Sequence, residues 1–197
     1  MAHLSIATYN LHGLNQGLPL LHELVKQFDV ICIQEHWLSS DQFYKLESLS
    51  PDFTSFNKSA MDKVCADDIL RGRPFGGTSI LVHSRLANCA KYLASEANFI
   101  IVKVCDIILV NMYLPCRSNT QDYQNVLCDI FTSVGTTLDA YPDIAVVLAG
   151  DFNCCLNRND RATSTHLTDK SRESMRLLIS RLNLCDIWSP NNVNKEG

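Results

Sequence analysis

The chain alternates short, densely apolar runs with longer stretches in which apolar residues recur every third or fourth position. The run Ala145, Val146, Val147, Leu148, Ala149 is apolar on both faces, as in a buried strand, and it stops abruptly at Gly150, Asp151, Phe152 and Asn153. Asp29–Gln34 predicts a second buried strand, ending at Glu35. Leu4–Tyr9 alternates apolar with small polar residues and ends at Asn10, with Gly13 close behind. Thr78–His83, Phe99–Val104 and Ile107–Tyr113 predict three more strands, the last two a hairpin turning at Cys105–Asp106. Phe53–Phe56 and Cys185–Trp188 predict short ones.

Helical spacing predicts a helix over Pro19–Phe28, with apolar residues at 20, 21, 24, 25 and 28 and Pro19 in the first turn. A longer helix is expected from about Gln121 to Leu138, another over Arg172–Leu182, and a short one over Ser39–Leu49, where Ser39 and Gln42 can form a capping box. Lys58–Pro74 is polar, ends in RGRPFGG and reads as a surface loop. Strand–helix–strand units at each end thus flank a strand-rich middle. The expected class is α/β, two packed sheets with helices outside.

Composition narrows this picture. The 197 residues suffice for one domain with a real core, and 46% apolar with 19% charged residues excludes a disordered chain. No run approaches a membrane span, and the N-terminus MAHLSIATYN carries no secretion signal. Of nine cysteines none falls in a CxxC pair, and Cys32 and Cys105 sit in strand-like runs, where a thiol behaves as a small hydrophobe. A reducing, intracellular compartment is expected rather than a disulfide framework. Adjacent Cys154 and Cys155, with no histidine pair at ligand spacing, argue against zinc. The net charge of −4 does not mark a nucleic-acid binder, but Leu156–Arg181 carries six basic residues against three acidic ones.

Chemistry concentrates at the ends of strands. Strands end in Asn10, in Glu35, near Tyr113, and in Asp151 with Asn153, and open α/β sheets build their sites from such carboxyl ends. Asp151 and Asn153 would point the same way in an extended segment, a carboxylate beside a carboxamide that both donates and accepts. Gly, Asp and Asn are also the common turn residues, so a simple turn competes.

Five motifs, TYNLHGL (8–14), ICIQEHW (31–37), GGTSILV (76–82), VNMYLP (110–115) and AGDFNC (149–154), resemble in order and spacing the endonuclease/exonuclease/phosphatase superfamily, which includes deoxyribonuclease I and abasic-site endonucleases. QEHWL with GRPFGG looks most like the endonuclease domain of non-LTR, LINE-type retrotransposons. The resemblance runs from Leu4 to Trp188 and implies a four-layered α/β sandwich, two mixed sheets flanked by helices, as a single domain over 1–197.

It also implies roles. Glu35 is similar to the main magnesium ligand, with manganese as a substitute, and Asn10 to a residue placing the metal or the scissile phosphate. Tyr113 resembles a phosphate-contacting tyrosine, Asp151 the carboxylate that aligns or deprotonates the attacking water, and Asn153 the carboxamide that orients the phosphate. His36 is read as structural, because it follows Glu35 directly, and Trp37 as core. Arg71, Arg73, Arg158 and Arg161 are candidate contacts to DNA phosphates. The implied reaction is metal-assisted phosphodiester hydrolysis by in-line water attack. The implied setting is a monomer acting on DNA in the nucleus, without a membrane, with a reverse transcriptase domain on the same polyprotein.

The family pattern continues into further strands and a Ser-Asp-His motif, whereas this sequence stops at NNVNKEG and none of its six histidines follows Ser-Asp. An incomplete second sheet and impaired activity are therefore expected. The alternatives are an inactive remnant that only binds nucleic acid or a partner, and an abasic-site or phosphatase branch of the superfamily.

Overall fold

The computed structural model describes residues 4–62, 72–116, 121–154, 156 and 169–187. Its tertiary contacts divide the chain into two compact units, Met1–Cys116 with Tyr141–Asn153, and Arg117–Ala140 with Cys154–Gly197. The first unit holds every strand. One sheet has the order β1 (Ile6–Asn10), β2 (Val30–Gln34), β4 (Thr78–His83), β3 (Phe53–Lys58), and the other runs β5 (Ala90–Glu96), β6 (Phe99–Val104), β7 (Ile107–Tyr113), β8 (Ala145–Asp151). β1–β2 and β7–β8 are parallel and the remaining pairs antiparallel, so both sheets are mixed.

Alternation along the strands decides what each sheet covers. Val30, Cys32, Ile80 and Val82 of the first sheet meet Ile100, Val102, Val104 and Leu109 of the second in one buried cluster, the interior of the sandwich. The opposite face of the first sheet, Ile31, Ile33 and Leu81, packs with Leu14 and Leu21 of α1 (Leu14–Leu24) and Leu46 of α2 (Tyr44–Glu47). On the outward face of the second sheet Phe99, Ile101, Ile108, Val110 and Met112 are buried too. The expected α/β sandwich of two packed mixed sheets with helices is the fold.

Several expectations shift. α1 begins after Gly13 and encloses Pro19 rather than starting at it. Burial of Leu14 and Leu21 outweighs the one helical hydrogen bond that proline removes. The Ser39–Leu49 helix is a short 3-10 turn (Ser40–Gln42) followed by α2, and Ser39 makes no side-chain cap. β5, AKYLASE, has no strand signal of its own; it forms as an edge by pairing with β6, with a bulge between Tyr92 and Ala94. Residues 185–187 form no strand. Cys105 is not a lone thiol: it turns the β6–β7 hairpin at φ 51° and is disulfide-bonded to Cys89, at the end of a 3-10 segment (Ser84–Cys89). Cys32 is buried in the sandwich as expected, its thiol pushed up to about 12 by burial.

The second unit contains α3 (Gln121–Asp139) and α4 (Asp169–Arg181). α3 buries Tyr123, Leu127, Ile130, Phe131, Val134 and Leu138, the expected stripe except Val126, which is exposed. Arg181 of α4 donates to the Asp139 carboxylate at 2.9 Å. It lies over Gly135, where a Cβ would come within 2.6 Å of the guanidinium. Among the described residues no helix is long and apolar enough to cross a membrane.

Candidate active site

Four strand ends converge. β1 ends on Asn10, β2 one residue before Glu35, β7 on Tyr113 and β8 on Asp151. The Asn10 carboxamide nitrogen donates to Glu35 Oε1 at 2.7 Å and to Asp151 Oδ2 at 2.8 Å. One amide thus bridges two carboxylates that would otherwise repel. Asn10 Oδ1 accepts from the His12 backbone N–H at 3.0 Å, which fixes the amide's orientation, because reversing it would aim oxygen at both acids. The second Glu35 oxygen accepts from Trp37 Nε1 at 3.2 Å. The Tyr113 hydroxyl lies beside Glu35. Burial, followed by the Glu35 charge, pushes its phenol up, so the hydroxyl stays a donor at neutral pH.

Past Asp151 the chain is no longer extended. Asn153 takes φ 48°, its N–H donates to Asp151 Oδ1 at 3.0 Å, and its carboxamide nitrogen donates to the Leu114 carbonyl at 2.8 Å. The turn is therefore real, and instead of two side chains aimed in parallel it gives a carboxylate fixed by the backbone that follows it. Gly150 makes this approach possible: at φ 137° a Cβ there would lie 1.9 Å from the Met112 carbonyl oxygen.

Loops carry equal constraint. Glu35 and Trp37 both adopt left-handed φ, 54° and 57°, with His36 between them fully buried. His36 Nδ1 accepts from the Leu38 N–H at 3.0 Å, so Nε2 carries the proton and donates to the Lys58 carbonyl at 3.1 Å. Burial holds this imidazole neutral and lowers its pKa to about 4. The expectation that His36 is structural and not a base agrees with this. Trp37 departs from expectation: it is half-buried, its ring lies over Gly13, and its indole N–H is spent on Glu35.

Glu35 and Asp151 supply hard oxygen donors, and among the described residues no group of three or more His, Cys, Asp or Glu comes together as a metal site. Magnesium binds through one or two carboxylates plus water and substrate phosphate, so this donor set fits it.

The candidate phosphate contacts are less uniform. Arg73 is exposed, whereas Arg71, Arg158 and Arg161 lie outside the described residues. Within the basic run Arg172 is buried, Arg176 donates to the Leu156 carbonyl at 3.1 Å, and Arg181 is paired with Asp139. Three residues near the site did not stand out individually in the sequence. His12 Nδ1 stands 3.6 Å from Glu35 Oε1, and Gln34 and Asn111 are buried polar groups beneath it. All three fall inside the motifs TYNLHGL, ICIQEHW and VNMYLP, and Gln34 and Asn111 also interrupt apolar strands.

Fold and site define a two-sheet α/β protein with an acidic, carboxamide-bridged cluster at the carboxyl ends of its strands. The chain belongs to the Endonuclease/Exonuclease/phosphatase family, whose model matches residues 7–190. No curated protein matches it. Among solved structures it is similar to the 3' phosphatase NExo from Neisseria bound to a product DNA hairpin, at 17% identity and TM-score 0.66, covering 91% of this chain and 71% of that one. It is similar, also at 17% identity, to an AP endonuclease of Archaeoglobus fulgidus, with TM-score 0.67, covering 90% of this chain and 70% of that one. The AP endonuclease LMAP of Leishmania major gives 17% identity and TM-score 0.69, covering 91% of this chain and 67% of that one. At this identity the likeness is one of fold.

Proposed function

We propose that this chain is a DNA endonuclease domain of the LINE retrotransposon type, hydrolysing a phosphodiester with magnesium and acting on nuclear DNA. The observation that carries this is the cluster Asn10, Glu35, Tyr113 and Asp151, tied together through Asn10 and Glu35 at the mouth of two packed sheets. Family membership supports phosphoester hydrolysis. QEHWL and GRPFGG support the retrotransposon branch, and the neighbour bound to a DNA hairpin supports DNA as substrate.

Glu35 is the residue that would hold a divalent ion, with Asn10, which donates to its carboxylate, helping to place the ion. Such an ion supplies Lewis-acid polarisation of the phosphoryl oxygens and stabilises the leaving oxygen. The chain's own groups do the rest. Asp151, locked by the Asn153 N–H, is placed to accept a proton from water. Tyr113, kept protonated, would turn its hydroxyl from Glu35 to a phosphate oxygen, and the Asn153 amide, anchored on the Leu114 carbonyl, would orient that phosphate through its second N–H. Exposed Arg73 contributes a backbone phosphate contact without reading sequence.

The test is nicking of supercoiled plasmid by the purified chain with magnesium and with EDTA, beside an abasic duplex, a 3'-phosphorylated duplex and a soluble phosphomonoester. Magnesium-dependent nicking is expected. Glu35→Ala should abolish it, and Asp151→Asn should reduce it by roughly two to three orders of magnitude. Preferential turnover of the abasic or phosphomonoester substrate would move the chain to another branch of the family. DNA binding without turnover on any substrate, from folded protein, would overturn the enzyme assignment.

A further inference from the structure

The sandwich interior changes character along its length. At one end it is apolar, built from Val30, Cys32, Ile80, Val82 and Leu109. Immediately below the acidic cluster it becomes polar. Gln34 on β2 and Asn111 on β7 are 1% and 0% exposed, and they face each other from opposite sheets. Gln34 Nε2 donates to Asn111 Oδ1 at 2.6 Å. Asn111 Nδ2 donates to the carbonyls of Ile33 and Ser79, at 2.8 and 2.9 Å, reaching two neighbouring strands of the opposite sheet. Gln34 Nε2 also donates to Thr8 Oγ1 on β1 at 3.1 Å.

Each member of this layer lies one or two residues before a residue of the candidate site. Thr8 lies two residues before Asn10 on the same face of β1, Gln34 directly before Glu35, and Asn111 two residues before Tyr113. Asn111 is also paired with Ala149, two residues before Asp151. Apolar packing alone holds two sheets together but barely resists sliding, because dispersion contacts are non-directional. Three hydrogen bonds of fixed direction across the interface, Gln34 to Asn111 and Asn111 to the Ile33 and Ser79 carbonyls, do resist it, and hydrogen-bonded buried polar groups specify one arrangement.

We propose that the Gln34–Asn111 pair is a positioning device: it locks the register of the two sheets, so that Glu35 from one meets Tyr113 and Asp151 from the other. Both are positioning residues, since neither reaches the cluster itself. The inference deepens the proposed endonuclease reading and rests on it only for the activity readout.

The experiment uses the full chain with Trp188→Phe, which leaves Trp37, hydrogen-bonded to Glu35, as the single indole reporter. Variants are Gln34→Met, Asn111→Leu, the apolar double, and the exchange Gln34→Asn with Asn111→Gln, which keeps one carboxamide on each strand. Plasmid nicking, thermal midpoint and Trp37 emission are measured for each.

The apolar double should stay folded, lose at least tenfold in kcat with KM within twofold, and shift Trp37 emission. The exchange should recover more kcat than either of its single members. A double variant within twofold of the parent kcat, or losses that track the thermal midpoint across the series, would overturn the positioning role and leave a merely structural one. If the parent nicks nothing, the endonuclease reading falls by itself. The device is then judged on Trp37: a shifted emission in a folded apolar double supports it, and an unchanged one overturns it.

Discussion

Replacing Gly150 with alanine is expected to destabilise the domain severely, and the structure gives the size. Gly150 pairs with Met112 in the parallel β7–β8 ladder, one residue before Asp151. A Cβ there would meet the Met112 carbonyl oxygen at 1.9 Å and its carbonyl carbon and nitrogen at 2.8 Å, whereas real Cβ contacts essentially never fall below 3.0 Å. The neighbour is backbone, so no rotamer change relieves it, and β7 must move from β8 by about an ångström at their site end.

Two costs add. A non-glycine residue at φ 137° carries about 1–3 kcal/mol of strain. Parting the strands weakens one or two ladder hydrogen bonds, at about 1 kcal/mol each. Gly150→Ala should therefore lose about 2–5 kcal/mol, a large share of the roughly 5–15 kcal/mol that stabilises a domain. Urea unfolding by circular dichroism measures it. Gly72→Ala is the control, because Gly72 has φ 113° but nothing within 4 Å of the added Cβ. It should lose only the strain, about 1–2 kcal/mol. A Gly150→Ala variant within 1 kcal/mol of the parent, or no worse than Gly72→Ala, would refute the steric reasoning.

Acid should destabilise in two windows. His36, neutral and buried with its pKa lowered to about 4, binds its proton less readily folded than unfolded. Stability therefore falls as pH drops from about 6.5 towards 4, by on the order of 3 kcal/mol, and a His36→Gln variant should flatten that slope in pH-dependent unfolding. Asp29, held down to about 2 chiefly by Arg85, contributes stability above its unfolded pKa that is lost between about 4 and 2. Arg85→Ala should remove most of that second decline. Gly77→Ala would drive a Cβ to within 2.3 Å of the His36 ring, so both the thermal midpoint and Trp37 emission should change together. Breaking the Cys89–Cys105 bridge, which closes a segment of 16 residues, should lower stability by about 2–4 kcal/mol, read as a drop in thermal midpoint with dithiothreitol that a Cys89→Ser variant does not show.

Most of the first unit's framework was legible because its signals are local. Buried strands such as Val30–Gln34, Thr78–His83 and Ile107–Tyr113 announce themselves as dense apolar runs, and residues at their ends follow by position. β5 was not legible, because AKYLASE becomes a strand only when β6 offers it a partner, and neither was the Cys89–Cys105 pairing. α1 was misplaced because proline's local preference yields to burial of Leu14 and Leu21.

The same division runs through the site. The sequence by itself determined which residues stand at or just past the strand ends, Asn10, Glu35, Tyr113 and Asp151, since that depends only on where apolar runs stop. Tertiary structure alone decided that one Asn10 amide ties Glu35 to Asp151, which lies 141 residues beyond Asn10, that Trp37 serves Glu35 rather than the core, and that Gln34 meets Asn111 inside the sandwich. The physical reason is that hydrogen bonds between distant strands depend on sheet register and packing distance. Neither quantity is written in any local stretch of residues.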